Sequence, residues 1–358
     1  MEPLRVLTAA EQVAGYLRRA LGSGAWGGRL PGGNQLAGLL GVGKNTVEAA
    51  LRQLEAEGVL VPQGAGRRRR IVLPEGKVAH PLRVAILDYD PPAIALAEAY
   101  MVELLHLLGE AGYSVFFAEK CLQELGMEVG RVERMVRRTE ADAWLVVAGS
   151  REVLEWFAAQ PLPAFALFGR RHGLPIAGVG PNKPPAYATA TRALIGLGHR
   201  RIVLLARRLR RLPEPGTSER TFLAELAAHG ISAGSYHLPD WEDSIDGYHA
   251  RLESLFQVSP PTALIIQKAP LFVAAQQFLA AQGLRVPQDV SLVCTDPDPS
   301  FAWCKPSVSH IRWDSRPVVR RIVRWAANVS QGKPDLRQTL TKAEFVPGGT
   351  IGPAKGGS

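Results

Sequence analysis

The chain has 358 residues, too long for one ordinary domain, and its 46% hydrophobic content is enough to build real cores. Its formal net charge of +9 is unevenly spread, because residues 1–81 hold 11 Lys and Arg against 6 Asp and Glu while the rest carries only +4. A small basic head on a nearly balanced body fits a polyanion-binding module joined to something else. Cys121, Cys294 and Cys304 are widely spaced with no C-x-x-C, which argues against a disulfide framework or a structural zinc site. No apolar run reaches the roughly 18 residues of a membrane span, and the first twenty residues lack a signal-type apolar core. A cytoplasmic location, no membrane association, no metal and no cofactor are expected.

The first elements lie in residues 8–73. Thr8 stands three residues before Glu11, the spacing of a capping box, and the helix that follows turns Val13, Leu17, Ala20 and Leu21 inward. A second helix is expected over 34–40 and a third over 44–57, stopped by Gly58. In the third, Val47, Ala50, Leu51 and Leu54 fall at i, i+3, i+4 and i+7 and define one buried face. Lys44, Asn45 and Glu48 cluster at its start on other faces. Val59–Val61 and residues 71–73 can pair as a hairpin around residues 63–66, and residues 74–81, bracketed by Pro74 and Pro81, read as a linker.

From Leu82 the rhythm changes. Short apolar runs at 82–87, 113–118, 143–149, 163–169, 176–180, 201–206, 263–267 and 290–296 alternate with helical patterns that begin near Ala95, Glu128, Glu152, Pro185, Ser218, Asp246 and Leu271. Such alternation predicts parallel sheets covered on both faces. About ten strands over this length predict two sheets, hence two lobes and a cleft. In open α/β sheets ligands bind beyond the carboxyl ends of the strands.

The spacing Gly38-x4-Gly43-Lys44 mimics a phosphate-binding loop. A true one needs a preceding strand and a Ser or Thr after the lysine, whereas here residues 34–40 are helical and Asn45 follows. No paired carboxylates or nucleophile–base arrangement stands out, and neither a G-x-S-x-G elbow nor an H-E-x-x-H motif is present, so no catalytic residue is assigned and an enzyme is not expected.

A resemblance sharpens both halves. Leu30–Pro31, Leu36–Ala37, Leu40–Gly41–Val42, Thr46–Val47, Ala50–Leu51, Leu54 and Glu57–Gly58 resemble the winged helix-turn-helix of GntR-family regulators. Leu197-Gly198-His199-Arg200-Arg201-Ile202, Val286–Pro287, Asp289–Val293, the S-V-S-H-I-R run after Pro306, and Gly348-Gly349-Thr350 resemble LacI-type effector domains, which are similar to periplasmic sugar-binding proteins. The resemblance implies an α/β chain with an N-terminal winged helix-turn-helix (1–73), the linker (74–81) and a two-lobed type I periplasmic-binding-protein-like domain with parallel sheets (82–352). Lobe 1 would hold about 82–177 and 298–328, and lobe 2 about 178–297 and 335–352.

Mapped from the GntR family, DNA contacts fall on Asn34, Lys44, Asn45, Thr46 and Glu48, then Gly64, Ala65 and Gly66 at the wing tip, with Arg67 and Arg68 leading an arginine run to Arg70 that would meet phosphates. Lys44 can reach guanine or phosphate, and Asn45 can pair with adenine through two hydrogen bonds. The family usually has Arg where Asn34 and Glu48 stand. Glu48 either accepts from a cytosine amino group or pairs with Arg52 one turn on.

Mapped from the LacI type, the effector site takes Asp88, Tyr89, Asp90, Gly149, Ser150 and Arg170 from one lobe and Arg220, Trp241, Gln267, Lys268 and Asp296 from the other. Arg220 stands where the family grips its ligand, Trp241 where some members stack a ring, and Asp296 where ligand hydroxyls are capped. Gln267–Lys268 replaces the usual Asn–Asp and makes the pocket more positive, which suits an acidic or phosphorylated sugar. The expected protein is a sequence-specific DNA-binding repressor, a homodimer on a palindromic operator, controlled by a small-molecule effector, a sugar or sugar derivative. The alternative is a DNA-binding protein whose effector domain serves only dimerisation.

Overall fold

The computed structural model describes residues 8–22, 30–63, 69–71 and 81–355. The expectations for Gly64, Ala65, Gly66, Arg67, Arg68 and the body of the linker lie outside them. The described chain divides into two compact units, one of residues up to Val146 with Gln160–Ala164 and Trp325–Pro334, the other of Val147–Ala159, Phe165–Arg324 and Asp335 onward.

The first unit begins with three helices and a hairpin: α1 Ala9–Gly22, α2 Gly33–Leu40, α3 Lys44–Ala56, β1 Leu60–Val61 and β2 Arg70–Ile71. Thr8 and Glu11 close the predicted capping box: the Thr8 backbone N–H donates to Glu11 Oε2 at 2.7 Å and the Glu11 N–H to Thr8 Oγ1 at 3.2 Å. Gly41, at φ 64°, ends α2 in the left-handed region and donates its N–H to Ala37 O, so the chain can turn into α3 within three residues. Leu17 and Leu21 of α1, Leu36 of α2, Val47, Leu51 and Leu54 of α3, and Leu30 and Leu60 form one buried core. The hairpin pairs Leu60 with Ile71 and Val61 with Arg70.

The same unit contains β3 Arg83–Leu87, α4 Pro92–Ala95, α5 Ala99–Glu110, β4 Ser114–Phe117, α6 Val129–Arg138 and most of β5 Ala143–Val147. β3 lies between β4 and β5, parallel to both, with Ala85 opposite Phe116 and Trp144.

The second unit runs through α7 Arg151–Ala158, nearly all of β6 Ala164–Leu167, β7 Ala177–Asn182, α8 Pro184–Gly196, β8 Ile202–Leu205, α9 Arg208–Arg211, α10 Thr217–Ala228 and α11 Ile245–Val258. It continues with β9 Ala263–Ile266, α12 Ala269–Ala281, β10 Ser291–Cys294, β11 Ser309–Trp313, the first part of α13 Ser315–Ser330, and β12 Gln338–Val346. Its strands follow the order β6-β7-β12-β11-β10-β9-β8, parallel except where β11 meets β12. Alternate residues feed opposite faces: Val203, Leu205, Leu264 and Ile266 enter one core, while Ile202, Leu204, Ala263 and Ile265 enter the other. That is why these strands read as continuous apolar runs.

All eight predicted strands are present. Two more, β11 and β12, carry no continuous apolar run. β12 reads Q-T-L-T-K-A-E-F-V and is half-exposed for most of its length, so hydropathy alone does not flag it.

Candidate DNA-reading and effector sites

In the head, Asn34, Lys44 and Asn45 are exposed at the starts of α2 and α3, while Thr46 is half-buried. The three exposed polar groups are thus offered outward from a rigid core, as groove reading requires. Glu48 takes a third course. Its carboxylate receives Arg69 Nη2 at 3.0 Å, while Arg69 Nε donates to Glu55 Oε1 at 2.5 Å. Arg52 donates to the main-chain oxygen of Glu48, at 3.3 Å, and among the described residues the carboxylate pairs with Arg69 and not with Arg52, the partner one of the two expectations gave it. Burial lowers Arg69's hold on its proton, but the two carboxylates outweigh it and raise the pKa. Glu48 therefore ties α3 to the residue that leads into β2 and passes directly over Gly33, where a Cβ would collide with it.

In the first unit, Asp88, Tyr89 and Asp90 follow β3 and are all buried. The Asp90 backbone N–H donates to Asp88 Oδ1 at 2.9 Å, and the main-chain oxygens of Asp88 and Tyr89 accept from Leu122 and Gln123.

The second unit brings together only part of the expected effector set. Ser150 caps α7, its Oγ accepting from Val153 N at 3.3 Å, and it follows Gly149, which Gly169 approaches too closely for any side chain at 169. Arg170 spends its Nη2 on main-chain carbonyls: Leu212 at 2.9 Å and Glu214 at 2.5 Å, with Leu209 and Arg210 at the margin of bonding. Burial, then the neighbouring Arg210, lower its pKa. Arg220, the expected ligand grip, instead projects from α10 with its side chain 53% exposed and bonds Pro215 O at 2.6 Å. Trp241 is in the core: its Nε1–H donates to Ala206 O at 2.9 Å, its ring meets Tyr248 edge-on, and Arg211 lies over it. Burial and a satisfied N–H remove it as an open stacking face. Gln267 Oε1 accepts the Arg207 backbone N–H at 2.8 Å.

Asp296 holds its expected place beyond β10, but in unexpected company. Lys183 Nζ reaches its Oδ1 at 2.5 Å and Thr295 Oγ1 its Oδ2 at 3.2 Å. Burial pushes this carboxyl up, yet Lys183, with Lys268 behind it, more than compensates and keeps the pKa low. Lys268 precedes α12 at φ 66°, a conformation that costs a non-glycine residue about 1–3 kcal/mol and is held by its surroundings. Beside this pair stand the buried phenol of Tyr187, pushed up by burial and by Glu219, and the two-pronged Arg210–Glu219 pair at 3.0 and 3.1 Å. Glu219 is fully buried.

Lys183, Tyr187, Arg210 and Glu219 were not anticipated. The signals were present: Lys183 precedes a Pro-Pro helix start, and Arg210 belongs to the R-R-L-R-R run at 207–211. Such a run usually reads as a solvated face, but here Arg207 pairs with Asp243, Arg210 with Glu219 and Arg211 with Asp240.

Residues 9–67 match the model of bacterial regulatory proteins of the gntR family, and residues 191–351 match that of the periplasmic binding protein-like domain. No curated protein sequence is similar enough to count as a match. Among solved structures, the chain is similar to the Lac repressor dimer bound to operator and the anti-inducer ONPF (18% identity, 76% of this chain and 94% of that one, TM-score 0.59). It is also similar to the transcriptional regulator CelR in complex with cellobiose (19%, 90% and 100%, 0.61) and to a LacI family transcriptional regulator from Enterococcus faecium with bound ribose (16%, 76% and 100%, 0.61). At these identities the likeness establishes the fold. The two segment matches identify a head of the gntR regulatory type and a periplasmic-binding-protein-like segment in the body. The body has the LacI-type, periplasmic-binding-protein-like fold. Among the described residues no helix is long and apolar enough to cross a membrane.

Proposed function

We propose that this regulator is a cytoplasmic, homodimeric repressor whose hold on a palindromic operator is set by a small-molecule effector, a sugar or sugar derivative. The domain division 1–73, 74–81 and 82–352 is part of that reading. The observation that carries it is the pairing of an exposed Asn34–Lys44–Asn45 surface on a compact three-helix head with a body that gathers Asp296, Lys183, Lys268 and Gln267 at its strand ends. Two heads on a two-fold body would read two half-sites, and an effector that prefers one conformation would change DNA affinity by that preference.

The test starts with selection of bound sequences from random duplex DNA, followed by anisotropy titration with and without sugars and sugar derivatives. An enriched inverted repeat whose affinity falls on adding one compound is the expected result. Enrichment of an operator that no small molecule affects would instead favour a body that serves only dimerisation.

A further inference from the structure

Lys44 and Glu48 stand four residues apart on α3 and share one face of it. A lone carboxylate on a face that meets a polyanion works against binding, so the partners of Glu48 decide what it does there. Its Oε1 lies over Gly33, the first residue of α2, where it leaves no room for a Cβ, and Gly33 adjoins the exposed Asn34. Its Oε2 receives Nη2 of Arg69, the residue that leads into β2, at 3.0 Å. Arg69 is held at two further points. Its Nε donates to Glu55 Oε1 at 2.5 Å, and its main-chain oxygen accepts from Leu30 N at 3.1 Å, just ahead of α2. One side chain thus joins the start of α2, α3 and the entry to the second hairpin strand, the three elements the head would bring to a duplex.

The chemistry sets this tie against direct contact with DNA. A cytosine amino group is a neutral donor, and a bond to it is roughly half as strong as the charge-assisted bond Glu48 already makes with a guanidinium. Arg69, for its part, would give up two carboxylates to gain one phosphate. The Arg69, Glu48 and Glu55 side chains are 23%, 32% and 22% exposed, so salt screens their attraction less than that of a fully solvated pair. The arginine run is therefore divided: Arg70 is exposed on β2, while Arg69 is turned back onto α3.

We infer that Glu48 is a positioning residue of the DNA interface: acting through Arg69, it fixes the wing strand against α3 and the start of α2, and it selects no base itself. Arg69 is the other half of the tie and holds no phosphate. This rests on the reading of the head as a sequence-specific DNA-binding unit. Base selection is left to the exposed Asn34, Lys44 and Asn45.

The test takes the full chain and the duplex it selects, substitutes each base pair of that duplex in turn, and follows binding by anisotropy over a salt series. Titration at saturating concentration fixes the active fraction, so that a loss of folded protein is not read as a loss of affinity. Glu48→Gln keeps the length of the side chain and an acceptor for Arg69, so it folds and carries the base-preference arm by itself. It should leave the order of preference among the substituted duplexes as in the wild type. Arg69→Met should weaken every duplex alike, by about tenfold, a coupling usual within one ion-pair network, and leave the salt slope unchanged. Glu48→Gln/Arg69→Met should weaken binding no further than Arg69→Met alone. A changed preference at one base pair in Glu48→Gln, cytosine giving way to adenine, makes Glu48 a reader and overturns the proposal. So does a salt slope smaller by about one in Arg69→Met, the mark of a lost phosphate contact, and so do losses that multiply in the double variant. In these three cases the wild type still selects an operator and the DNA-binding reading stands. A wild type that prefers no duplex overturns that reading and the proposal together.

Discussion

Two single side chains decide whether the charges of this molecule are stabilising. Glu219 is fully buried and is balanced by a two-pronged bond from Arg210. Arg210→Met should cost about 3–5 kcal/mol, because it leaves an uncompensated buried carboxylate, whereas Arg210→Met/Glu219→Gln should recover much of that loss. Urea unfolding of the three proteins measures both steps, and equal midpoints for wild type and the single variant would refute the argument. Asp296 has its pKa depressed by Lys183 and Lys268, so its share of stability is present above about pH 4, the unfolded carboxyl's range, and fades as acid drives it through the lower folded value. Asp296→Asn should therefore flatten the fall of Tm below pH 4 and leave the slope near neutrality unchanged.

Elements are positioned here by what they exclude as much as by what they bury. Gly178 faces Arg171, whose guanidinium lies on β7 with Nη1 bonded to Phe168 O at 3.0 Å. A Cβ at 178 would strike the Arg171 side chain and the main-chain oxygen of Ala166. Burial alone lowers the Arg171 pKa to about 10. The segment around Gly352 is held by His199, which bonds Thr262 Oγ1 and Gly352 O, each at 2.9 Å. Burial holds the imidazole pKa below its ordinary value, so its contribution is full above about pH 6.5 and declines as pH falls toward the folded value. The protection of the amides at residues 350–354, that is their exchange rate relative to the unstructured rate at the same pH, should fall between pH 6.5 and 5 in the wild type. In His199→Gln the protection should be low at both values. In the head, the exposed start of α3 should separate two kinds of contact. Lys44→Ala should weaken all duplexes about equally and reduce the salt slope by about one, whereas Asn45→Ala should cost about 1–3 kcal/mol and relax one base position. Anisotropy titrations over a salt series on operator and base-substituted duplexes distinguish the two.

For the molecule as a whole, any coupling between effector and operator is a free energy shared by both ligands. If an effector lowers operator affinity by some factor, operator DNA must lower effector affinity by that same factor. Calorimetry with and without the selected duplex checks this directly. An effector affinity that the duplex leaves unchanged would refute the coupling.

The sequence by itself determined the class of each part. The 3.6-residue spacing of Val47, Ala50, Leu51 and Leu54, the Gly41 turn and the Thr8–Glu11 box are local devices, and each acts in the structure as its residues dictate. Strands buried on both faces had to be apolar, so β3, β5, β6, β8, β9 and β10 were legible, and β4 and β7 were legible from their short apolar runs, while β11 and β12, with polar and half-exposed positions, were not. The identity of the charged partners was beyond the sequence, because an ion pair depends on where side chains end and not on what precedes them. Glu48 has Arg52 one turn away yet bonds Arg69 across 21 residues, and Asp296 finds Lys183 across 113. Trp241 could have faced ligand or core, and only the approach of Ala206, Arg211 and Tyr248 settled it. Local periodicity writes the elements. The surroundings of Asp296 arise from tertiary placement: β9 beside β10 brings the start of α12 near it, and Lys183 reaches it from far away in the sequence.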